Sequence, residues 1–306
     1  MNLDRVVLCR PQGGLNDVLC QIERVCSYAE RFDRTAVIDT NHHSTHSIKD
    51  QFSRYFVSRQ KRVILDAATE IEFHLRNASV VPNFLAGDCL RYDAHFDHEL
   101  GRFVERTTRK LITFDFDKDY AEPLLVHHDS GRVAGASVAA LSRLRLHDNL
   151  SDELIKRLKS IGTNYVSVHI RNTDYTTNYQ PLLNQIKNLP ALQNCENLLV
   201  ATDDIACLQF CRNMFPNIKI ISFSKLPEES GRPIHRLSDS DEIYERNKDA
   251  ILDLLMLALS DKFFFFGLNE NQWGTKFSGF SLLANDLHGS KKALSALISR
   301  PAISIS

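Results

Sequence analysis

Between residues 152 and 266 a helical stretch is followed by a short apolar strand four times over, and this alternation restricts the fold more than any other feature. Helix 152–160 leads to strand 165–170, helix 180–187 to strand 197–202, helix 205–215 to strand 218–222, and helix 244–259 to strand 262–266, the last pair after a polar loop at 225–241. Strands joined through helices cannot pair as hairpins, so they must lie parallel in a sheet covered by its own crossovers. Such a doubly wound sheet binds ligands at the carboxyl ends of its strands. The chain also opens this way. An apolar run at 5–9 stops at Pro11-Gln12-Gly13-Gly14, Val18, Ile22, Val25 and Cys26 then recur at helical spacing, and a second strand follows at 34–39. From 41 to 149 the pattern is less regular, with short apolar runs at 62–65, 79–81 and 124–126. A length of 306 residues is about twice the ~150-residue norm for one domain. The expected fold class is therefore α/β, as two domains at 1–149 and 150–306 or as one unusually large domain.

Lys and Arg number 37 against 38 Asp and Glu, a formal net charge of −1, so there is no broad positive field to hold a nucleic acid. Seven cysteines, odd in number and without a C-x-x-C pair, suggest neither a disulfide framework nor a zinc cluster and fit a reducing cytoplasm. The short first apolar run carries Asp4, Arg5 and Arg10, unlike a secretory signal. The most apolar stretch, 250–268, contains Asp253, Asp261 and Lys262, whereas a membrane span needs ~20 nearly uncharged residues. A cytoplasmic protein is expected, with room for peripheral membrane contact only.

Four constellations could carry chemistry. His169-Ile170-Arg171-Asn172-Thr173-Asp174 ends an apolar strand, and alternation puts His169 and Arg171 on one face. An arginine there can fork onto phosphate oxygens; the bland alternative is an Arg171–Asp174 ion pair that holds a loop beside a core histidine. Ala201-Thr202-Asp203-Asp204 ends the next strand, and its carboxylates could order a loop, bind a ribose, a base or a metal, or cap the helix that follows. Asp253 interrupts an apolar helix, and a buried carboxylate needs a partner. Gly13-Gly14-Leu15-Asn16-Asp17 runs from a glycine turn into a helix, a ready anion site, but it matches neither G-x-G-x-x-G nor the P-loop spacing. Taken alone, it reads better as a tight structural turn.

Taken in order, Gly13-Gly14-Leu15-Asn16, the His169 to Asp174 motif, Val200-Ala201-Thr202-Asp203-Asp204 and the stretch from Asp253 to Ser281 resemble the α-1,2/α-1,6/protein-O-fucosyltransferase superfamily, which includes the nodulation fucosyltransferases. The resemblance is strongest over 165–285 and thins over 41–150. It implies a GT-B architecture of two facing Rossmann-like domains, with the GDP-sugar held mainly by the second and a last helix that can pack back on the first. By that likeness Arg171 grips the β-phosphate, His169 and Asp253 line the guanine pocket, and Thr202 and Asp203 help position the nucleoside. Thr275 and Ser278 serve the diphosphate, and Gly14 and Asn16 face it from the other domain. The implied reaction is an inverting transfer, most readily of L-fucose, to a glycan or glycoconjugate hydroxyl, with no metal and no cofactor beyond the donor. Asp17, Asp39 and Asp174 are the candidate bases. The chain departs from the family's compact G-T-x-S-S joint, since 267–274 lengthens the path from the last strand to Ser278.

Two other readings compete. Phe114-Asp115-Phe116-Asp117 could be the D-x-D of a metal-dependent phosphatase or GT-A transferase, although it lies mid-chain rather than at the end of a first core strand. A catalytically inactive sugar-nucleotide or carbohydrate-binding protein could also use the same fold.

Overall fold

The computed structural model describes residues 3–298 apart from 45–47, 68, 72–76, 88, 90, 228–239 and 272–273, so most of the polar loop expected at 225–241 lies outside the described residues. The chain divides into two compact units, Met1–His147 and Asp148–Ser306.

In the first unit the opening apolar run is β1 (Val6–Pro11), buried throughout. It leads to α1 (Leu15–Arg31), whose Val18, Leu19, Ile22, Val25 and Cys26 recur at helical spacing and are all buried. β2 (Thr35–Ile38) completes a β-α-β crossover and pairs parallel to β1, Val6 opposite Thr35. After β3 (Phe56–Ser58) come β4 (Val63–Leu65), β5 (Val80–Val81), the antiparallel pair β6 (Ala94–Asp97) and β7 (Arg102–Glu105), and β8 (Leu124–Asp129). The short α2 (Ala136–Ser142) precedes β9 (Leu144–Leu146), which runs antiparallel to β3. The main sheet is parallel in the order β4-β2-β1-β8-β5. Val6, Leu8, Val37, Leu124 and Val126 form its core with Ile71 and Leu85, each fully buried aliphatic side chain contributing roughly 1.5–3 kcal/mol.

The second unit begins with α3 (Asp148–Ile161) and β10 (Val166–Ile170), continues through α4 (Tyr179–Ile186), α5 (Pro190–Gln193), β11 (Asn197–Thr202), α6 (Ile205–Met214) and β12 (Lys219–Ile221), and ends with α7 (Ser240–Leu259), β13 (Lys262–Phe265), α8 (Gly279–His288) and α9 (Lys291–Ile298). Its sheet is parallel in the order β12-β11-β10-β13. Val168, Ile170, Leu198, Val200, Cys207 and Phe266 pack in its core. The last helix, α9, packs against α8 within this unit.

Two first-unit strands run further than their apolar residues suggest. β1 includes Arg10, and β8 includes His127, His128 and Asp129, all buried. They persist because each polar side chain meets a partner inside. Arg10 Nε lies 2.8 Å from Asp39 Oδ2, with 1% and 8% of the side chains exposed, and Arg10 Nη1 donates to the Cys89 carbonyl at 3.0 Å. His128 sits between Gln12 Nε2 (2.6 Å) and the Tyr92 hydroxyl (2.8 Å). His127 bonds Thr113 Oγ1 at 2.7 Å and Gln21 Oε1 at 2.8 Å, and burial pushes its imidazole down to about 3, so it packs as a neutral ring.

The glycine turn before α1 divides into two unlike positions. Gly13 has φ +97°, and a Cβ there would lie 2.8 Å from Asp17 Cβ, whereas Gly14 is the helix N-cap at φ −71° with nothing closer than 3.7 Å. Gly13→Ala should therefore cost about 1–3 kcal/mol and Gly14→Ala under about 1 kcal/mol. Thermal unfolding of both variants checks this, since each kcal/mol moves Tm by roughly 2–4 °C in domains of this size. Equal losses would contradict the assignment.

Candidate active site

The candidate residues of the second unit gather beyond the carboxyl ends of its strands. Arg171 follows directly on β10, whose backbone pairs His169 with Ala201 and Ile170 with Thr202 in β11. Parallel pairing therefore delivers the His169 motif and the aspartate pair side by side. Arg171 Nη1 lies 2.9 Å from Asp203 Oδ2, and Nη2 lies 2.5 Å from Asp174 Oδ1.

The two adjacent aspartates hold different things. Asp203 Oδ1 accepts from the Asn172 backbone N–H at 2.7 Å, and its Oδ2 accepts from Thr173 Oγ1 at 2.6 Å. Asp204 accepts from Ala206 N–H at 3.0 Å, capping α6, and from Asn172 Nδ2 at 2.8 Å. Helix capping thus accounts for one carboxylate and the Arg171 loop for the other. Thr202 Oγ1 accepts from the Asp204 N–H at 3.3 Å. Thr177 closes the loop, its hydroxyl on the Arg171 carbonyl at 2.8 Å and its N–H on Asn172 Oδ1 at 3.3 Å. Asn172, Thr173 and Thr177 were not singled out in the sequence as scaffold residues; the first two sat unremarked inside the motif, and Thr177 carried no signal.

His169 is buried, with Nδ1 2.6 Å from Ser281 Oγ and its ring 4.9 Å from that of Phe280. Both partners lie in the first turn of α8, which Ser278 caps by accepting from Phe280 N–H at 3.3 Å. Burial, reinforced by the Arg171 charge, pushes His169 down to about 3, so a neutral imidazole stands beside the guanidinium. The longer path from β13 to α8 folds onto the Arg171 loop: Asn269 N–H donates to the Thr176 carbonyl at 2.8 Å, and Asn269 Nδ2 to Thr176 Oγ1 at 2.9 Å. Asn271 brackets Thr275, accepting from its N–H at 3.2 Å and donating to its carbonyl at 2.8 Å. Gln272 and Trp273 lie outside the described residues.

Asp253, on α7, belongs to a separate polar cluster. Ser224 donates to its Oδ2 at 2.5 Å, and Arg157 Nη1 lies 3.5 Å from its Oδ1. Arg157 also pairs with Asp249 and lies over the Phe223 ring at 5.1 Å. Burial, partly offset by the Ser224 hydrogen bond and the Arg157 charge, pushes the Asp253 carboxyl up to about 6.

In the first unit Gly14 caps α1, and buried Asn16 accepts from Cys20 Sγ at 3.8 Å through its Oδ1. All three candidate bases meet an arginine: Asp17 with Arg132 at 2.9 Å, Asp39 with Arg10, and Asp174 with Arg171. The D-x-D pair occupies an exposed turn. Asp115 Oδ1 accepts from the Asp117 N–H at 3.0 Å, and the Asp117 side chain is 94% exposed, 3.7 Å from Arg31. Among the described residues no group of three or more His, Cys, Asp or Glu side chains is placed to hold a metal ion, and no helix is long and apolar enough to cross a membrane.

The raised Asp253 pKa has a definite sign. The native state holds a proton there that the unfolded chain releases at lower pH, so this group's contribution to stability is full in acid and is lost as pH rises towards 6. Asp253→Asn should remove that decline and gain on the wild type by on the order of 1–3 kcal/mol between about pH 4 and pH 7. Thermal unfolding of both proteins across that range measures it; parallel pH profiles would contradict the buried, raised carboxyl.

No protein-family model matches the sequence, and no curated protein does. Solved structures do match. The NodZ α-1,6-fucosyltransferase soaked with GDP-fucose is 18% identical with a TM-score of 0.61, over 93% of this chain and 92% of that one. Fucosyltransferase NodZ from Bradyrhizobium is 17% identical with a TM-score of 0.59, over 92% and 93%. POFUT1 in complex with GDP is 13% identical with a TM-score of 0.58, over 95% and 97%. The two parallel-sheet units together have the GT-B fold of these fucosyltransferases.

Proposed function

We propose that the chain is a glycosyltransferase that moves a sugar, L-fucose by preference, from a GDP-sugar to a hydroxyl of a glycan or glycoconjugate, with inversion and without a metal ion. The observation that carries this reading is Arg171 at the carboxyl end of β10, fixed by the buried Asp203 carboxylate and flanked by neutral His169, which is tied to the first turn of α8. Breaking the bond between sugar and nucleotide leaves growing negative charge on the β-phosphate. A guanidinium already in place stabilises that charge more in the transition state than in the ground state. The oriented N–H groups at the start of α8 add to it. On this reading the guanidinium and these N–H groups are the donors set against the leaving phosphate in place of a metal.

By the resemblance Asp253, held here by Ser224 and Arg157, serves the nucleoside end. A carboxylate accepts well from the adjacent N1–H and N2–H donors of guanine, which adenine does not present. Solved structures of the same fold include ones with GDP and with GDP-fucose bound, which supports the same donor here. An odd number of cysteines without a C-x-x-C pair fits a reducing, cytoplasmic setting.

In a thermal-shift screen GDP at about 100 times its Kd should add roughly 2.7 kcal/mol of stability without Mg²⁺, while UDP, CMP and ADP should not. A Mg²⁺-dependent response to another nucleotide would overturn the donor assignment and turn attention to Asp115 and Asp117. Arg171→Lys keeps the charge but loses the planar fork, so turnover should fall by about 100-fold or more with the fold intact. Near-normal turnover would remove Arg171 from the mechanism, and an absence of transfer and of donor hydrolysis in the wild type would favour a binding protein.

A further inference from the structure

Arg171 has two acidic partners, and they differ in what decides whether an ion pair stays or yields. Asp203 stands at the end of β11 with its side chain 8% exposed, and it accepts from the Asn172 N–H, from Thr173 Oγ1 and from Arg171 Nη1. Removing that carboxylate would leave the half-buried Asn172 N–H without its acceptor and loosen the loop at three points. Asp174 belongs to the loop itself, its side chain is 29% exposed, and its Oδ1 accepts from Arg171 Nη2 at 2.5 Å and from the Tyr175 N–H at 3.1 Å. An ion pair so exposed is screened by water and is readily exchanged.

Charge balance points the same way. With Asp204 3% exposed and bonded to Asn172, the loop gathers one guanidinium against three carboxylates. A diphosphate approaching that cluster meets less negative charge once a carboxylate withdraws, and of the three only Asp174 stands outside a buried strand end or a helix cap.

Resting on the GDP-sugar reading above, we propose that Asp174 is a placeholder: it occupies Arg171 Nη2 in the empty site and cedes it to a phosphate oxygen of the nucleotide, while Asp203 keeps Nη1 throughout as the positioning residue. No bond is made or broken; one anion replaces another on the same edge of the guanidinium.

Calorimetric titration of the 306-residue chain with GDP and with guanosine tests this. Asp174→Asn, and Asp174→Ala as a second variant, should bind GDP about 2- to 5-fold tighter than wild type with guanosine affinity unchanged. Asp203→Asn should bind GDP at least about 10-fold more weakly and lower the ratio of GDP to guanosine affinity. A misfolded or merely loosened variant would lose both ligands together, so the GDP-to-guanosine ratio separates positioning from general damage. If wild type binds GDP and both Asp174 variants bind it no more tightly, Asp174 is a fixed part of the site and the exchange is wrong. If wild type does not bind GDP, the donor reading fails and the exchange with it.

Discussion

The orientation of the Arg171 loop depends on one buried carboxylate. Asp203 gathers the Asn172 N–H, the Thr173 hydroxyl and one edge of the Arg171 guanidinium, all from a loop that shares no regular element with it. The parallel register of β10 and β11 places the two motifs next to each other, and the hydrogen bonds then convert proximity into a fixed orientation. A guanidinium left free on a loop would have to be ordered at the moment of reaction; held this way, its ordering entropy is already met during folding.

The first unit solves a related problem with different residues. Its strand ends are polar yet buried, and Arg10 with Asp39, His127 with Gln21, and His128 with Gln12 and Tyr92 satisfy one another inside the sheet's edge. This layer lengthens β1 and β8 beyond their apolar cores and fixes the segments that follow them. It also draws Asp39 into a buried ion pair, as Arg132 does Asp17 at the start of α1.

Much of this was legible in the sequence where local pattern and global fold agree. The strands around Val168, Val200 and Phe264 are apolar runs between helices, and they form as expected because a parallel, helix-covered sheet buries both faces of its strands. Strand ends were harder to read. Arg10, His127, His128 and Asp129 look like interruptions until their partners are known, and those partners lie up to 116 residues away. Likewise the His169 motif announced Arg171 and Asp174, but the link from Asp203 to Arg171 spans two strands, and only their register reveals it. That one of Asp203 and Asp204 caps the next helix was legible from position; that it is Asp204 was not. The Thr176–Asn269 tie between the lengthened joint and the Arg171 loop had no local signature.

The central claim is that Arg171, held by Asp203, receives the phosphates of a guanine nucleotide. A crystal structure with GDP bound tests it most directly. The account requires a β-phosphate oxygen within hydrogen-bond distance of the Arg171 guanidinium, with the Asp203 contact retained and the Asp174 contact broken. GDP bound elsewhere, with Arg171 still closed between both carboxylates, would contradict it.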